Sequence, residues 1–400
     1  MKRIVCIMAL SGLFMAGFAQ TDSITPFRVL NNDDVKVTSE YVPVTQYWKE
    51  HNILQHLDVS LTAGTTGIGF DVASPVTEWA QVRAGYEFMP RFTKRMKFDL
   101  TIGGRPARSY DADGYRQETT FDKMSEFLYQ FTGYDVDDHV DMIGKPTINN
   151  FKFLIDVFPF KQNKHWHFTA GFYWGPSQFA YAENAIESSV SLVSVGIYNR
   201  MYEKAVNNEP LFDLESMGYS GASYSPFSQE YEEMLYKKIR DFGRLGFAVG
   251  DFNAPFGISY KDGKYHEISA EHYSYDESGK IVFDEETKAE YKTLYAPGDA
   301  YIVEPDDRGV VSVSAQSNSF KPYLGFGYAG RLVKGRDDWK VSFDCGAMFW
   351  GGTPDVYVND GINLTKDIKN VKGQVGTYVD IFKAFKVYPV LSFRITKTIF

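Results

Sequence analysis

His165 and His167 stand two residues apart, a spacing that sends both imidazoles to one side of an extended strand, where Asp156 and Glu87 could join them as metal ligands. Spacing fixes no third ligand, so the residues read as polar lining and not as a metal centre. His139 lies among Asp135, Asp137, Asp138 and Asp141, with oxygen ligands enough for Ca²⁺. That stretch lacks the glycine and the closing glutamate of an EF-hand loop and reads as a solvated acidic loop. No Gly-x-Ser-x-Gly elbow occurs, and the 7 His are scattered. After the N-terminal segment the one cysteine is Cys345, set among apolar residues, where it acts as a small apolar group. The sequence therefore specifies no catalytic residue, no metal and no cofactor, and the protein is not expected to be an enzyme.

The remaining chemistry is a set of paired charges. Arg83, Glu87, Lys97, Asp99, Lys152, Asp156, Lys340, Asp344 and Arg394 all fall on the polar side of segments whose other side is apolar. Ala80, Val82, Ala84, Tyr86, Phe88 and Phe92 oppose Gln81, Arg83, Gly85, Glu87 and Arg91. Met96, Phe98, Leu100 and Ile102 oppose Lys97, Asp99, Thr101 and Gly103. Phe151, Phe153, Ile155 and Val157 oppose Asn150, Lys152, Leu154 and Asp156, and Trp166, Phe168, Ala170, Phe172 and Trp174 oppose His165, His167, Thr169, Gly171, Tyr173 and Gly175. Three C-terminal segments, around 320–331, 339–351 and 387–400, alternate in the same way. The segment from Leu57 to Ala73 changes phase at Gly64-Thr65-Thr66-Gly67, which predicts a bulge or a tight turn.

Period-two alternation over about ten residues is the signature of a strand with one face in lipid and one in a barrel lumen. A soluble sandwich alternates too, but its polar face meets water and is rich in Lys, Glu and Thr. Here that face mixes Gly and Tyr with charges of both signs, which suits a crowded lumen where ions neutralise one another. Trp166, Trp174, Tyr86, Tyr328 and Phe400 are placed for interface girdles. The expected fold is all-β: an antiparallel transmembrane barrel of eight strands, too narrow to hold more than its own side chains, so the charges form a structural plug.

Composition agrees. The 400 residues include 27 Tyr, 32 Phe and 34 Gly, and the net charge of −9 argues against a nucleic-acid partner. Lys2 and Arg3, the apolar run Ile4 to Phe14, and Gly17-Phe18-Ala19 give a secretory signal cleaved before Gln20. No later apolar stretch is long enough for a membrane helix.

The chain then divides into a signal (1–19), a periplasmic leader (20–56) with a helical turn near Ile53 to His56, five strands (57–176), a large extracellular insertion (177–318) and three strands (319–400). Connections at 93–95, 161–164 and 332–338 are short and would be periplasmic. Those at 105–146, 177–318 and 352–386 are long and would lie outside, joined there by the short one at 75–78. Within the insertion, Glu230 to Arg240 and Glu183 to Lys204 are expected to be helical. Phe247 to Phe256 and Val310 to Ala315 could form a hairpin, and a barrel that included it would have ten strands.

The stretches GTTGIGFDVASPVTEWAQVRAGYEF (64–88), FKPYLGFGYAG (320–330) and VYPVLSFRITKTIF (387–400) resemble the small outer-membrane barrels of the OmpA/OmpX-like superfamily. The resemblance spans most of 57–176 and 319–400 and leaves out the insertion. It implies an eight-stranded barrel in the outer membrane, variable external loops, no catalytic residues, and assembly by the barrel-assembly machinery through the C-terminal strand. One departure is the phase before Phe400, where the alternate positions hold Thr398, Thr396 and Arg394. Membrane lipid and an unidentified extracellular ligand are the expected partners. The alternative function is a small transport barrel for ions or a hydrophobic solute.

Overall fold

The computed structural model describes residues 56–160, 163–211, 229–384 and 386–399. The signal, nearly all of the leader with its expected helical turn, and Phe400 lie outside the described residues.

Eight antiparallel strands close a barrel. In chain order with the others introduced below, they are β1 (Asp58–Gly64), β2 (Gly67–Thr77), β3 (Ala80–Phe88), β6 (Asn149–Val157), β7 (Trp166–Trp174), β12 (Phe320–Val333), β13 (Arg336–Phe349) and β15 (Val387–Thr398). The wall shuts where β1 meets β15, from Asp58 opposite Thr398 to Gly64 opposite Ser392. Large apolar residues face outward on every strand: Leu61, Phe70, Phe168, Leu324, Phe326, Phe343, Leu391 and Phe393 are all exposed. Exposed large apolar residues on this many strands make a belt, a surface for lipid and not for water. Trp166 and Tyr328 pack edge-on, ring centres 5.1 Å apart, at one end of the belt, and Trp174 stands exposed at the other, with Tyr86 exposed on β3.

The strand count is eight, as expected, but one strand differs. Of the bulge and the tight turn expected at 64–67, the structure has the tight turn, which divides residues 57–73 between two strands. They make a hairpin, β1 and β2, reversed at Thr65-Thr66. Gly67 closes the turn at φ 117°, and a Cβ there would sit 2.2 Å from the Phe88 carbonyl oxygen, so a side chain is barred on both counts. In exchange, the segment 96–103 leaves the barrel. The hairpin proposed as strands nine and ten also stays out of the wall: its two halves lie in different sheets. β15 holds an unbroken register from Val387 to Lys397 against β13 and from Ser392 to Thr398 against β1, so no bulge restores the phase expected before Phe400 among the described residues.

Connections at 65–66, 89–148, 175–319 and 350–386 leave one end of the barrel, the loop end; those at 78–79, 158–165 and 334–335 leave the other, with both described chain ends. At the loop end the wall continues upward on one side. The strands β4 (Lys94–Asp99), β5 (His139–Pro146), β8 (Gln178–Asn184), β11 (Ser312–Gln316) and β14 (Asp355–Val358) form a sheet in the order β14-β11-β8-β5-β4. Each is the direct continuation of one barrel strand, from β13, β12, β7, β6 and β3 in turn, so the order of the wall is copied. Backbone bonds bridge the break: Met89 donates to Ile148 (2.8 Å), Thr147 to Phe179 (2.8 Å), Gly175 to Ser319 (3.1 Å) and Asn318 to Trp350 (3.1 Å). The other three barrel strands end at the rim.

A second layer covers the inner face of this tall wall. It contains β9 (Leu245–Phe252), β10 (Ala300–Val303) and the helix α4 (Gly373–Ala384), backed by α1 (Thr120–Thr132), α2 (Ser189–Asn207) and α3 (Gln229–Phe242). The two helices expected in the insertion correspond to α3 and α2, although Glu183 and Asn184 still belong to β8. α1 begins at a capping box between Thr119 and Asp122 and ends at Gly133 in the left-handed region. Asn199 of α2 ties the helix to β9, its amide donating to the Leu245 carbonyl (2.6 Å) and its oxygen accepting from the Leu245 N–H (3.0 Å).

Candidate functional site

The lumen is filled by an ion-pair lattice. Arg83 donates to Asp156 (3.0 Å) and stands 3.9 Å from both Asp71 and Asp344. Lys152 reaches Asp71 (2.7 Å) and bonds Glu87, whose other oxygen accepts from Thr66 (2.5 Å). Arg394 lies 3.5 Å from Asp344 and 3.8 Å from Asp156 and donates to the Ser342 hydroxyl (2.8 Å). His167 meets Asp344 at 2.6 Å, while Thr169 and Gln81 donate to Asp156 at 2.7 and 2.8 Å. All of the charged groups are buried. Glycines on neighbouring strands make the room: a Cβ on Gly85 would lie 2.1 Å from Asp71 Oδ1, and one on Gly327 would lie 2.5 Å from both Asp344 Oδ1 and His167 Nε2.

Of the sequence-predicted network, Arg83, Glu87, Lys152, Asp156, Asp344 and Arg394 converge here. Lys97 and Asp99 do not. They lie on β4, exposed, outside the barrel, where Asp99 pairs with Arg108 (2.7 Å). Lys340 is half exposed near the turn end, 3.7 Å from Asp58. Sequence reasoning missed Asp71, which touches both Arg83 and Lys152. Its signal was the phase of residues 67–73, readable only once 64–67 is taken as a reversal.

The histidines expected as polar lining separate: His167 is in the lumen, but His165 sits in the preceding turn and meets the Ala329 carbonyl oxygen at 2.6 Å. His139 pairs with Asp138 (2.8 Å) at the edge of β5. Among the described residues no three His, Cys, Asp or Glu side chains gather with the geometry of a metal site.

Above the lumen lies an apolar chamber of about 330 Å³. Its floor is the inner face of the tall wall, where the pairing registers bring Met96 and Met142, Gly144 and Ala182, Pro146 and Ala180, Ala315 and Val356 side by side. Small residues at the centre of the sheet, Gly144, Ala180, Ala182 and Ala315, leave the hollow. The roof is Phe247 and Val249 of β9, Val303 of β10 and Val375, Val379 and Phe382 of α4. An aromatic stack divides chamber from lumen: Phe382 lies 5.8 Å from Phe179, Phe179 4.3 Å from Trp350, and Trp350 5.2 Å from Tyr388 of β15.

Polar groups of the outer layer are paired elsewhere. Arg244 bonds Glu304, Glu203 (3.3 Å) and the Tyr295 hydroxyl (2.9 Å); burial would lower its pKa, but the carboxylate of Glu304 outweighs it and holds the guanidinium firmly charged. Asp360 accepts from the Tyr301 hydroxyl (2.6 Å), and burial pushes its carboxyl up to about 6.

No protein-family model matches the chain, and no curated protein matches it. Solved structures show a likeness, two of them from one organism. CarO2 of Acinetobacter baumannii is 12% identical with a TM-score of 0.31, the match covering 86% of this chain and 99% of that one. CarO of the same organism is 11% identical with a TM-score of 0.31, covering 86% and 97%. The closed eight-strand barrel stands on its own strand pairing.

Proposed function

We propose that the chain is a non-enzymatic outer-membrane barrel, of the OmpA/OmpX-like kind, whose lumen is a structural plug and whose loop end is a binding region facing outward from the cell. The observation that carries this reading is the lumen lattice. Three fixed cations interlock with four carboxylates in ion pairs, all buried, and an eight-stranded barrel has width for little beyond its own side chains, which supports a filled lumen. The apolar belt supplies the surface for lipid. The three long connections gather at one end, the usual arrangement for the extracellular side of bacterial barrels. C-terminal pairing through β15 supports assembly by the barrel machinery. The transport alternative requires passage that the lattice and the aromatic stack above it oppose.

Planar-bilayer recording of the purified, full-length protein tests the reading. A silent membrane is expected at moderate voltage. Reproducible single-channel steps would overturn the plug and favour a pore.

A further inference from the structure

From the chamber's lining we infer that it is a binding site for a single-chain anionic amphiphile, a medium-chain fatty acid, taken up at the outer surface of the bilayer. The inference rests on the reading of the loop end as a binding region and names its ligand class.

Size and chemistry come first. About 330 Å³ is the lower end of the range for small-molecule pockets. It holds on the order of ten methylene-sized groups. The walls are aliphatic and aromatic almost throughout, which selects a hydrocarbon chain. Only four side chains with polar tips line the chamber: Lys94, Lys145, Tyr181 and Tyr378. Lys145 and Tyr181 are already engaged, both bonding Glu183 (2.9 and 3.3 Å). The ammonium of Lys94 and the hydroxyl of Tyr378 have no partner among the described residues. A free cation and a free hydroxyl on an apolar chamber suit a carboxylate head on an acyl tail.

Position comes second. Lys94 lies on β4, the edge strand of the floor, directly across from Gly144. Val356 and Val358 on the opposite edge are buried, whereas Phe92 beside Lys94 is 57% exposed. The accessible side of the chamber is therefore the β4 edge. Phe92 follows Phe88, the last lipid-facing residue of β3, by four residues, so chain length keeps it within about 14 Å of the top of the belt. A tail leaving the outer leaflet need travel little further to enter, with its carboxylate held at Lys94.

The test is calorimetric titration of decanoate, decanol and decyltrimethylammonium into the full-length protein in lipid nanodiscs, with empty nanodiscs subtracted. Saturable decanoate binding is expected, weakening about three- to fourfold for each methylene removed from the chain. Decanol should bind at least fivefold more weakly, and the quaternary amine should not saturate. Ala182→Phe, which fills the hollow, should abolish binding, and Lys94→Gln should reduce decanoate to the level of decanol. Both variants are checked for an unchanged melting transition; Ala315→Phe replaces A182F if that variant fails to fold. Equal binding of decanoate and decanol would overturn the proposal, as would decanoate binding that A182F and A315F leave intact. Conductance failing to be silent would instead sink the plug, so the two readings fail separately.

Discussion

At the scale of single residues, the buried charges of the lumen and the Asp360 carboxyl outside the barrel behave oppositely when altered. Arg83 is shared by Asp71, Asp156 and Asp344, so removing it takes a cation from three buried carboxylates and leaves them only Lys152 and Arg394. Breaking a buried pair from one side costs about 3–5 kcal/mol. Arg83→Ala should therefore lower the urea midpoint of the refolded barrel sharply, while Lys340→Ala, at the half-exposed turn end, should change it by less than about 1 kcal/mol. Equal effects would mean that the lattice carries no more stability than a surface pair. Asp360 works the other way. Its carboxyl is raised to about 6 from an ordinary 3.8 by burial, with the Tyr301 hydroxyl as its partner. A raised carboxyl favours the folded state in its protonated form, so that contribution is complete below pH ~4 and lost as pH rises through 6. Exposed carboxylates with lowered pKa, Asp262, Asp276 and Asp284 among them, give the opposite slope in both proteins. The difference in melting temperature between Asp360→Asn and wild type should thus shrink as pH falls from 7 to 5. A constant difference would remove Asp360 as a titrating group.

At the scale of elements, alternation is a local signal and reports what each face meets without saying where. Every wall strand alternates because lipid lies outside and charges lie inside. β4 alternates for a different reason: Met96 and Phe98 face the apolar chamber, while Lys97 and Asp99 face solvent. From sequence alone the two situations are identical, which is why 96–103 reads as a barrel strand and its charges as lumen charges. The fusion of β1 and β2 has a similar origin, since a two-residue reversal leaves no stretch of loop composition between them. Pairing partners settle both points, and those are tertiary. In a Cys345→Ala background, a cysteine at position 97 (Lys97→Cys) should react fully with a bulky membrane-impermeant maleimide in sealed vesicles. Ser342→Cys, buried in the lumen, should resist it. Protection at position 97 equal to that at 342 would return β4 to the wall.

At the scale of the whole molecule, the structure is a short barrel with five of its eight strands prolonged into a second sheet, and the long insertion is an excursion from that sheet. Its two ends meet. The Asn184 N–H donates to the Val311 carbonyl (3.1 Å), the Asn184 side chain accepts from the Val311 N–H (2.9 Å), and its amide donates to the Gly309 carbonyl (3.2 Å). Chain that leaves β8 at Asn184 therefore returns to the neighbouring strand β11 at the same point, already in antiparallel register. Replacing residues 185–310 by an Asn-Gly turn would convert β8 and β11 into a simple hairpin without moving either strand. None of the lumen lattice and none of the aromatic stack between lumen and chamber lies in the excised segment. What does go is Phe247, Val249 and Val303, half of the roof over Gly144, Ala180, Ala182 and Ala315. The deletion variant should keep the heat-modifiable gel migration of a closed barrel and remain silent in bilayers, yet lose saturable decanoate binding. If the barrel fails to close without 185–310, the outer layer is part of the folding unit and not an attachment to it. If the barrel closes and decanoate still binds as before, the roof contributes nothing and the ligand sits elsewhere. The insertion mixes helices and short strands because it must cover an apolar sheet, while the wall must separate lipid from buried charge.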